Sequence, residues 1–120
     1  MAKKILIVED EVITAMGMME MLEFWGYEVL EPAATSSDAL ERVANEKPDL
    51  VILDIRIQGE TDGIETAKKI REMIGIPVVF VTGYTDSEIR KRAEEAGPAG
   101  YLTKPLDLTR LKSLIDKVLS

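Results

Sequence analysis

The stretch that most constrains this chain is Leu50-Val51-Ile52-Leu53-Asp54, four apolar residues running straight into a carboxylate. Coming after Pro48-Asp49, a run this short and this apolar predicts a strand buried on both faces. Two buried faces need cover on both sides, which is the setting of a parallel sheet sandwiched by helices. In such sheets ligands bind outside the carboxyl ends of the strands. Asp54 falls at that end. Alone, an Asp there starts a turn or caps a helix as readily as it does chemistry, so the other strand ends decide.

Ile5 to Val8 is a second apolar, β-branched-rich run, and it ends in Glu9-Asp10-Glu11. Val12 to Trp25 is long enough for a helix and is stopped by Gly26. Tyr27 to Leu30 is a short strand candidate. Thr35 or Ser36 caps a helix through about Glu46, with Ala39, Leu40 and Val43 facing inward. Ile55 to Asp62 is a loop, and Ile64, Ala67 and Ile70 give helical spacing to about Met73. Pro77 to Thr82 is a third buried strand, with Pro at its start where a missing N–H is tolerated. Thr85 or Asp86 caps a helix to about Ala96. Gly97-Pro98-Ala99-Gly100 is a turn, Tyr101 to Thr103 a short strand, and Asp107 opens a last helix with Leu108, Leu111, Leu114, Ile115 and Val118 on one face.

Strand and helix thus alternate five times. The pattern predicts an α/β fold: a doubly wound, flavodoxin-like domain with a five-stranded parallel sheet of order 2-1-3-4-5 and five helices. At 120 residues, with no linker, repeat or low-complexity segment, residues 1–120 read as one domain with a sizeable core. The apolar runs are too short to span a bilayer and Lys3-Lys4 leads into no signal-peptide pattern, so the expected location is cytoplasmic and away from the membrane. A net charge of −7 with no clustered basic stretch disfavours nucleic acid as a ligand of this domain. The chain has neither Cys nor His. Disulfides, thiolate metal sites and the commonest general base are therefore excluded, leaving carboxylates, hydroxyls, amines and backbone.

The strand ends deliver Glu9-Asp10, Asp54, Thr82 and Lys104 to one edge; the peripheral second strand delivers only Glu31-Pro32. Three carboxylates in one crevice cannot all stay ionised without a counter-charge. A hard divalent cation resolves that, and Mg²⁺ uses one or two carboxylates together with phosphate oxygens. Lys104 adds a point positive charge and Thr82 a hydroxyl, a set that suits a phosphoryl group. A carboxylate can itself be the acceptor, as an aspartyl phosphate. Taken singly, Glu9 and Asp10 are equally well helix N-terminal charges and Lys104 a surface lysine; the constellation is what points to chemistry.

The chain resembles the receiver domains of two-component response regulators over essentially its full length. The resemblance is carried by Ile5-Leu6-Ile7-Val8-Glu9-Asp10-Glu11, Leu53-Asp54-Ile55-Arg56, Asp62-Gly63, Val81-Thr82-Gly83 and Tyr101-Leu102-Thr103-Lys104-Pro105. Singly these motifs are weak; in this order and spacing they are specific. The family is itself a standard example of the 2-1-3-4-5 order, so that order is not an independent derivation. The resemblance implies Asp54 as phosphoacceptor and Mg²⁺ as cofactor. It implies Asp10 as a direct metal ligand, Glu9 acting through water, and Arg56 supplying a backbone carbonyl. It makes Thr82 and Tyr101 a switch pair, Lys104 the phosphate-binding lysine and Lys104-Pro105 a cis peptide. The implied donor is a histidine kinase or histidine phosphotransfer protein. The implied output is a surface built from the fourth helix, fifth strand and fifth helix, with an unnamed partner. Such a chain catalyses its own phosphorylation and dephosphorylation without being a metabolic enzyme. Departures from the family pattern are Glu9 for the commoner Asp, Gln58 in a loop one residue longer than usual, Gly83 where Ala is usual, the local sequence Gly97-Pro98-Ala99-Gly100, and Leu106 for Phe.

Rival readings are weaker. An aspartyl-phosphate phosphatase of the haloacid dehalogenase kind needs a second Asp two residues after the nucleophile, where this chain has Arg56. A flavodoxin-like electron carrier needs a hydroxyl-rich loop after the first strand, and Glu9-Asp10-Glu11 repels phosphate there. A receiver-like module that is never phosphorylated has no use for the intact acidic pocket and Lys104. On the first helix Thr14, Met18, Met21, Leu22 and Trp25 share a stripe expected to face the sheet. Glu20 and Glu23 lie opposite, and Val12, Ile13 and Met16 fall in water near Glu9-Asp10, where they read as a docking patch for the donor's helices. The other Met residues read as adaptable packing, and Lys68-Lys69 and Arg90-Lys91-Arg92 as solvated helix faces.

Overall fold

The computed structural model describes residues 2–56, 62–83 and 87–120. The expected lengthened loop at 57–61 and the Thr85 or Asp86 cap lie outside them. The elements are β1 (Lys4–Val8), α1 (Val12–Phe24), β2 (Glu28–Val29), α2 (Ser36–Glu46), β3 (Leu50–Leu53), α3 (Gly63–Ile74), β4 (Val78–Thr82), α4 (Ser87–Glu95), β5 (Gly100–Thr103) and α5 (Leu108–Leu119). All five strands pair in parallel, in the order β2-β1-β3-β4-β5. The expected order and alternation hold.

Period-two alternation sorts the strand residues between two cores. Ile5, Ile7, Leu50, Ile52, Val79 and Val81 face Ala15, Met18 and Leu22 of α1 and Leu111 and Ile115 of α5. Leu6, Val8, Val51, Leu53, Val78 and Phe80 face the side covered by α2, α3 and α4. Both sides are fully buried, and each Leu, Ile or Val removed from water there contributes about 1.5–3 kcal/mol. Two helices, α2 and α5, start where hydroxyl or carboxylate caps were legible, whereas the N-cap of α1, Glu11, makes no side-chain capping bond. Thr35 accepts from the Asp38 N–H and Asp107 accepts from the Thr109 and Arg110 N–H groups. Two elements differ from expectation. β2 is only Glu28–Val29, since Tyr27 belongs to the turn after α1 and Leu30 is followed by a lone bridge of Ala33 to Val8. On α1 the sheet-facing line is Ala15, Met18 and Leu22, one step round from the expected stripe. Thr14 instead donates its hydroxyl to Glu11 at 2.6 Å. Met21 and Trp25 are half-buried and line a cleft of about 510 Å³ against α5.

Among the described residues no helix is long and apolar enough to cross a membrane.

Candidate functional site

The register of the sheet builds the site. Val8 pairs with Leu53 and Thr82 with Thr103, so the strands finish close to one level. The ladder runs one residue further: the Asp54 N–H donates to the Val8 carbonyl at 3.0 Å and the Lys104 N–H to the Thr82 carbonyl at 2.8 Å. Glu9, Asp54 and Lys104 thereby enter one edge. The Lys104 Nζ lies 2.9 Å from Asp54 Oδ2 and 3.2 Å from Glu9 Oε1. The Arg56 N–H donates to Asp54 Oδ1 at 3.3 Å. The Lys104-Pro105 peptide bond is cis, as the resemblance implied.

Of the expected site residues, Glu9, Asp54 and Lys104 are in direct contact. Glu9 is buried, and Asp54 and Lys104 are half-buried. Asp10 is half-buried beside them in the chain, but its carboxylate takes no part in that network. Thr82 is fully buried as the last residue of β4. Tyr101 is half-buried on β5, its ring edge-on to Phe80 at 6.2 Å. Arg56 is exposed. Val12, Ile13 and Met16 stand in water at the site end of α1, 68%, 83% and 55% exposed.

Crowding two carboxylates beside one ammonium divides their acidities. Burial, together with the Asp54 carboxylate as hydrogen-bond partner and neighbouring charge, pushes the Glu9 carboxyl up to about 7 against the pull of Lys104. Burial also works to raise Asp54, but hydrogen bonds from Glu9 and Lys104, the Lys104 charge and the Arg56 N–H hold it below its ordinary value. Of the two carboxyls, Glu9 is therefore the one that takes up a proton first as the pH falls, and Asp54 the one that stays ionised. Burial works to lower Lys104, and its contacts with Asp54 and Glu9 outweigh that and raise it. Burial raises the Tyr101 phenol, with Arg90 opposing and Asp54 assisting.

Two features went unread in the sequence. Gly63 is required by space: a Cβ there would sit 2.1 Å from the Asp54 carbonyl oxygen and 2.7 Å from the Ile55 Cα. Its N–H donates to the Ile55 carbonyl at 2.6 Å, pressing the start of α3 against the backbone that carries Asp54. The Asp62-Gly63 motif signalled it without giving the reason. Arg90 and Arg92, expected as part of a solvated face, are engaged. The Arg90 guanidinium lies over the Tyr101 ring, 4.6 Å from its centroid, and Arg92 pairs with Asp62 at 3.1 Å. Charge pattern alone cannot show this, because both partners come from other elements. Gly97 and Gly100 explain the unusual turn. Gly97 has φ +66° and a Cβ there would strike the Arg71 guanidinium at 2.0 Å, while one on Gly100 would meet Leu114 at 2.4 Å. At Gly83 a Cβ would meet nothing within 4 Å.

Among the described residues no three acidic side chains are gathered tightly enough to hold a metal ion. The donor chemistry nonetheless fits a hard divalent cation. Glu9 and Asp54 are paired oxygen donors whose like charge is relieved by a proton and an ammonium, the role a cation would take over.

The family model for the response regulator receiver domain matches residues 5–116. The transcriptional regulatory protein PdtaR of Mycobacterium tuberculosis is 35% identical over 118 residues, covering 98% of this chain and 57% of that protein. The transcriptional regulatory protein ZraR of Salmonella typhimurium is 38% identical over 117 residues, covering 97% of this chain and 26% of that protein. The chain thus spans about half the length of the first relative and about a quarter of the second. A solved CheY-like response regulator receiver domain protein from Methanospirillum hungatei JF-1 superposes with a TM-score of 0.89 at 32% identity, over 98% of this chain and 94% of that one. Receiver domains are phosphorylated by histidine kinases and in general use Mg²⁺ for that reaction. With family model, curated relatives and solved fold in agreement, the chain belongs to the response regulator receiver domains of two-component systems.

Proposed function

We propose that Asp54 is the phosphoacceptor, that phosphohistidine on a histidine kinase or phosphotransfer protein is the donor, and that residues 1–120 act as one receiver domain. The observation that carries this is the Lys104 ammonium, 2.9 Å from Asp54 Oδ2 and 3.2 Å from Glu9 Oε1 at one sheet edge. An ionised Asp54 oxygen attacks phosphorus in line; the P–O bond forms as the P–N bond breaks, and the donor imidazole leaves with that electron pair. Lys104 exchanges a carboxylate oxygen for a phosphoryl oxygen, and the Thr82 hydroxyl holds another. Asp10, Asp54 and the Arg56 carbonyl would hold Mg²⁺, with Glu9 acting through water, and the ion would supply charge neutralisation for the transfer. Water later hydrolyses the acyl phosphate.

Drawing Thr82 toward the phosphoryl group vacates space beside β5 for Tyr101, and the α4–β5–α5 surface changes for an output partner. Val12, Ile13 and Met16 receive the donor's helices. Nucleic acid is not a ligand of this domain, and a cytoplasmic location goes with ATP-fed donors. Incubation with Mg²⁺ and acetyl phosphate, followed by mass measurement, should show one added phosphoryl group, lost in Asp54→Asn. Labelling that survives undiminished in that variant would remove Asp54 from the role.

A further inference from the structure

Building on the roles given above to Asp54 and Tyr101, we propose that Arg90 and Arg92 form a two-point clasp that holds α4 in its resting place and slows phosphorylation of Asp54. Within its span α4 buries only Ala93, whereas α3 buries Ile64, Ala67 and Ile70. Beyond Ala93, the half-buried Ile89 and the Ala96 that follows the helix, the seat of α4 rests on polar contacts. The Arg92 Nη2 reaches Asp62 Oδ2 at 3.1 Å, while Asp62 Oδ1 accepts from the Glu65 N–H at 3.0 Å. Asp62 so ties the cap of α3 to α4, immediately before the Gly63 that presses on the Asp54 carbonyl. Two residues back and on the other side of α4, Arg90 covers the Tyr101 ring at 4.6 Å and at the same time pairs with Glu94 at 3.5 Å. A cleft of about 250 Å³, lined by Ile55, Arg56, Asp62, Ile89 and Arg92, lies beside it, so Arg92 braces α4 across a gap that apolar packing leaves open. At the far end the Arg71 Nη1 donates to the Ala96 carbonyl at 2.7 Å and supplies a pivot.

The clasp opposes the switch at both points. Tyr101 cannot leave Phe80 without giving up Arg90, and the loop bearing Asp54 cannot shift at Asp62 without disturbing Arg92. Exposed contacts of these kinds each bias an equilibrium by roughly 2–5-fold, so two together give a bias of about 5–20-fold. That is enough to set a resting state and small enough for a phosphoryl group to reverse.

The test uses Arg90→Ala, Arg92→Ala, the double variant and Arg92→Lys in the full chain. It reads acetyl phosphate labelling with Mg²⁺ and the amide spectrum of the unphosphorylated protein. Each alanine variant should label roughly 2–5-fold faster and the double variant about 5–20-fold faster. Arg92→Lys should stay near the wild-type rate. Raising salt from about 50 to about 500 mM should speed the wild type more than Arg92→Ala. A merely structural role would slow labelling instead. A double variant that labels at or below the wild-type rate overturns the clasp. Should the wild type take no phosphate on Asp54, the phosphoacceptor reading falls, and the spectrum still judges the clasp. Unphosphorylated double-variant resonances unchanged at Tyr101, Leu102 and Glu65 overturn it, and shifts there sustain it.

Discussion

Glu9 is a carboxylic acid held against a carboxylate, and its proton is a measurable consequence of the site. The folded chain keeps that proton up to about 7, whereas the ordinary value is 4.5. Folding therefore gains from protonation: the contribution of Glu9 is whole below 4.5 and is lost as pH rises through about 7. Asp54 is shifted the other way, so its contribution is lost only on acidification below 3.8, a separate window. In metal-free solution the melting temperature should fall by on the order of 5 °C between about pH 5 and pH 8, from a Glu9 effect of about 1–2 kcal/mol. Glu9→Gln should flatten that slope, and Mg²⁺ should restore the wild type at the alkaline end. A wild-type melting temperature that rises across the window, or an equal fall in Glu9→Gln, removes Glu9 as the source. At this scale Asp54 and Lys104 were legible because each follows an apolar run that must end at the same sheet edge. The bridging of Glu9 and Asp54 by one Lys104 ammonium was not, because it depends on side-chain reach rather than position along the strand. Arg92 was illegible for the same reason: its partner Asp62 is 30 residues away.

Helices differ in how openly their sequences state their faces. α2, α3 and α5 each have a clear polar side, and their buried lines were legible. α1 is apolar almost all round, so periodicity placed its stripe one step off and put Met21 on the sheet rather than on the α5 cleft, while Trp25 lines that cleft and also packs against the sheet-side core as expected. The exposed side was nevertheless read correctly at Val12, Ile13 and Met16. Phe24, 85% exposed at the far end, was passed over as part of the same apolar run. Exposed apolar side chains are ordinary singly, but three together in the turns nearest Asp54 form a patch with no internal packing to explain it. Changing Ile13 and Met16 to Ser should leave acetyl phosphate labelling within about twofold, since surface substitutions cost about 0.5 kcal/mol or less. Transfer from a phosphohistidine protein should fall by about tenfold or more, as expected when apolar anchors of an interface are removed. Equal slowing by both donors in stopped-time labelling would assign the patch to the pocket rather than to docking.

Across the whole molecule one continuous parallel sheet joins the edge that holds Asp54 to the surface of α4, β5 and α5, the route by which the proposed phosphorylation would be read at a distance. β4 stands between β3, which Asp54 follows directly, and β5, which carries Tyr101 and is followed by Lys104. The strand order was legible from alternation and from the resemblance. The weak seating of α4 was not, since it follows from how little of that helix the sheet covers. Phosphorylation adds about two negative charges beside Glu9 and Lys104, a change that must be met by nearby donors. Thr82 ends β4 with its side chain buried and its carbonyl fixed by the Lys104 N–H at 2.8 Å. A hydroxyl at that position offers a phosphoryl group a hydrogen bond that the methyl of alanine cannot make. Thr82→Ala should therefore still accept phosphate on Asp54, because attack and charge neutralisation rest on Asp54, Lys104 and the metal. Its amide shifts over Ser87–Glu95 and at Tyr101 on phosphorylation should shrink to about half or less of the wild-type changes, as expected when the group linking charge to a two-state element is removed. Phosphorylated Thr82→Ala with wild-type shifts over that stretch would show that the surface responds through another route, such as Asp62 and Arg92.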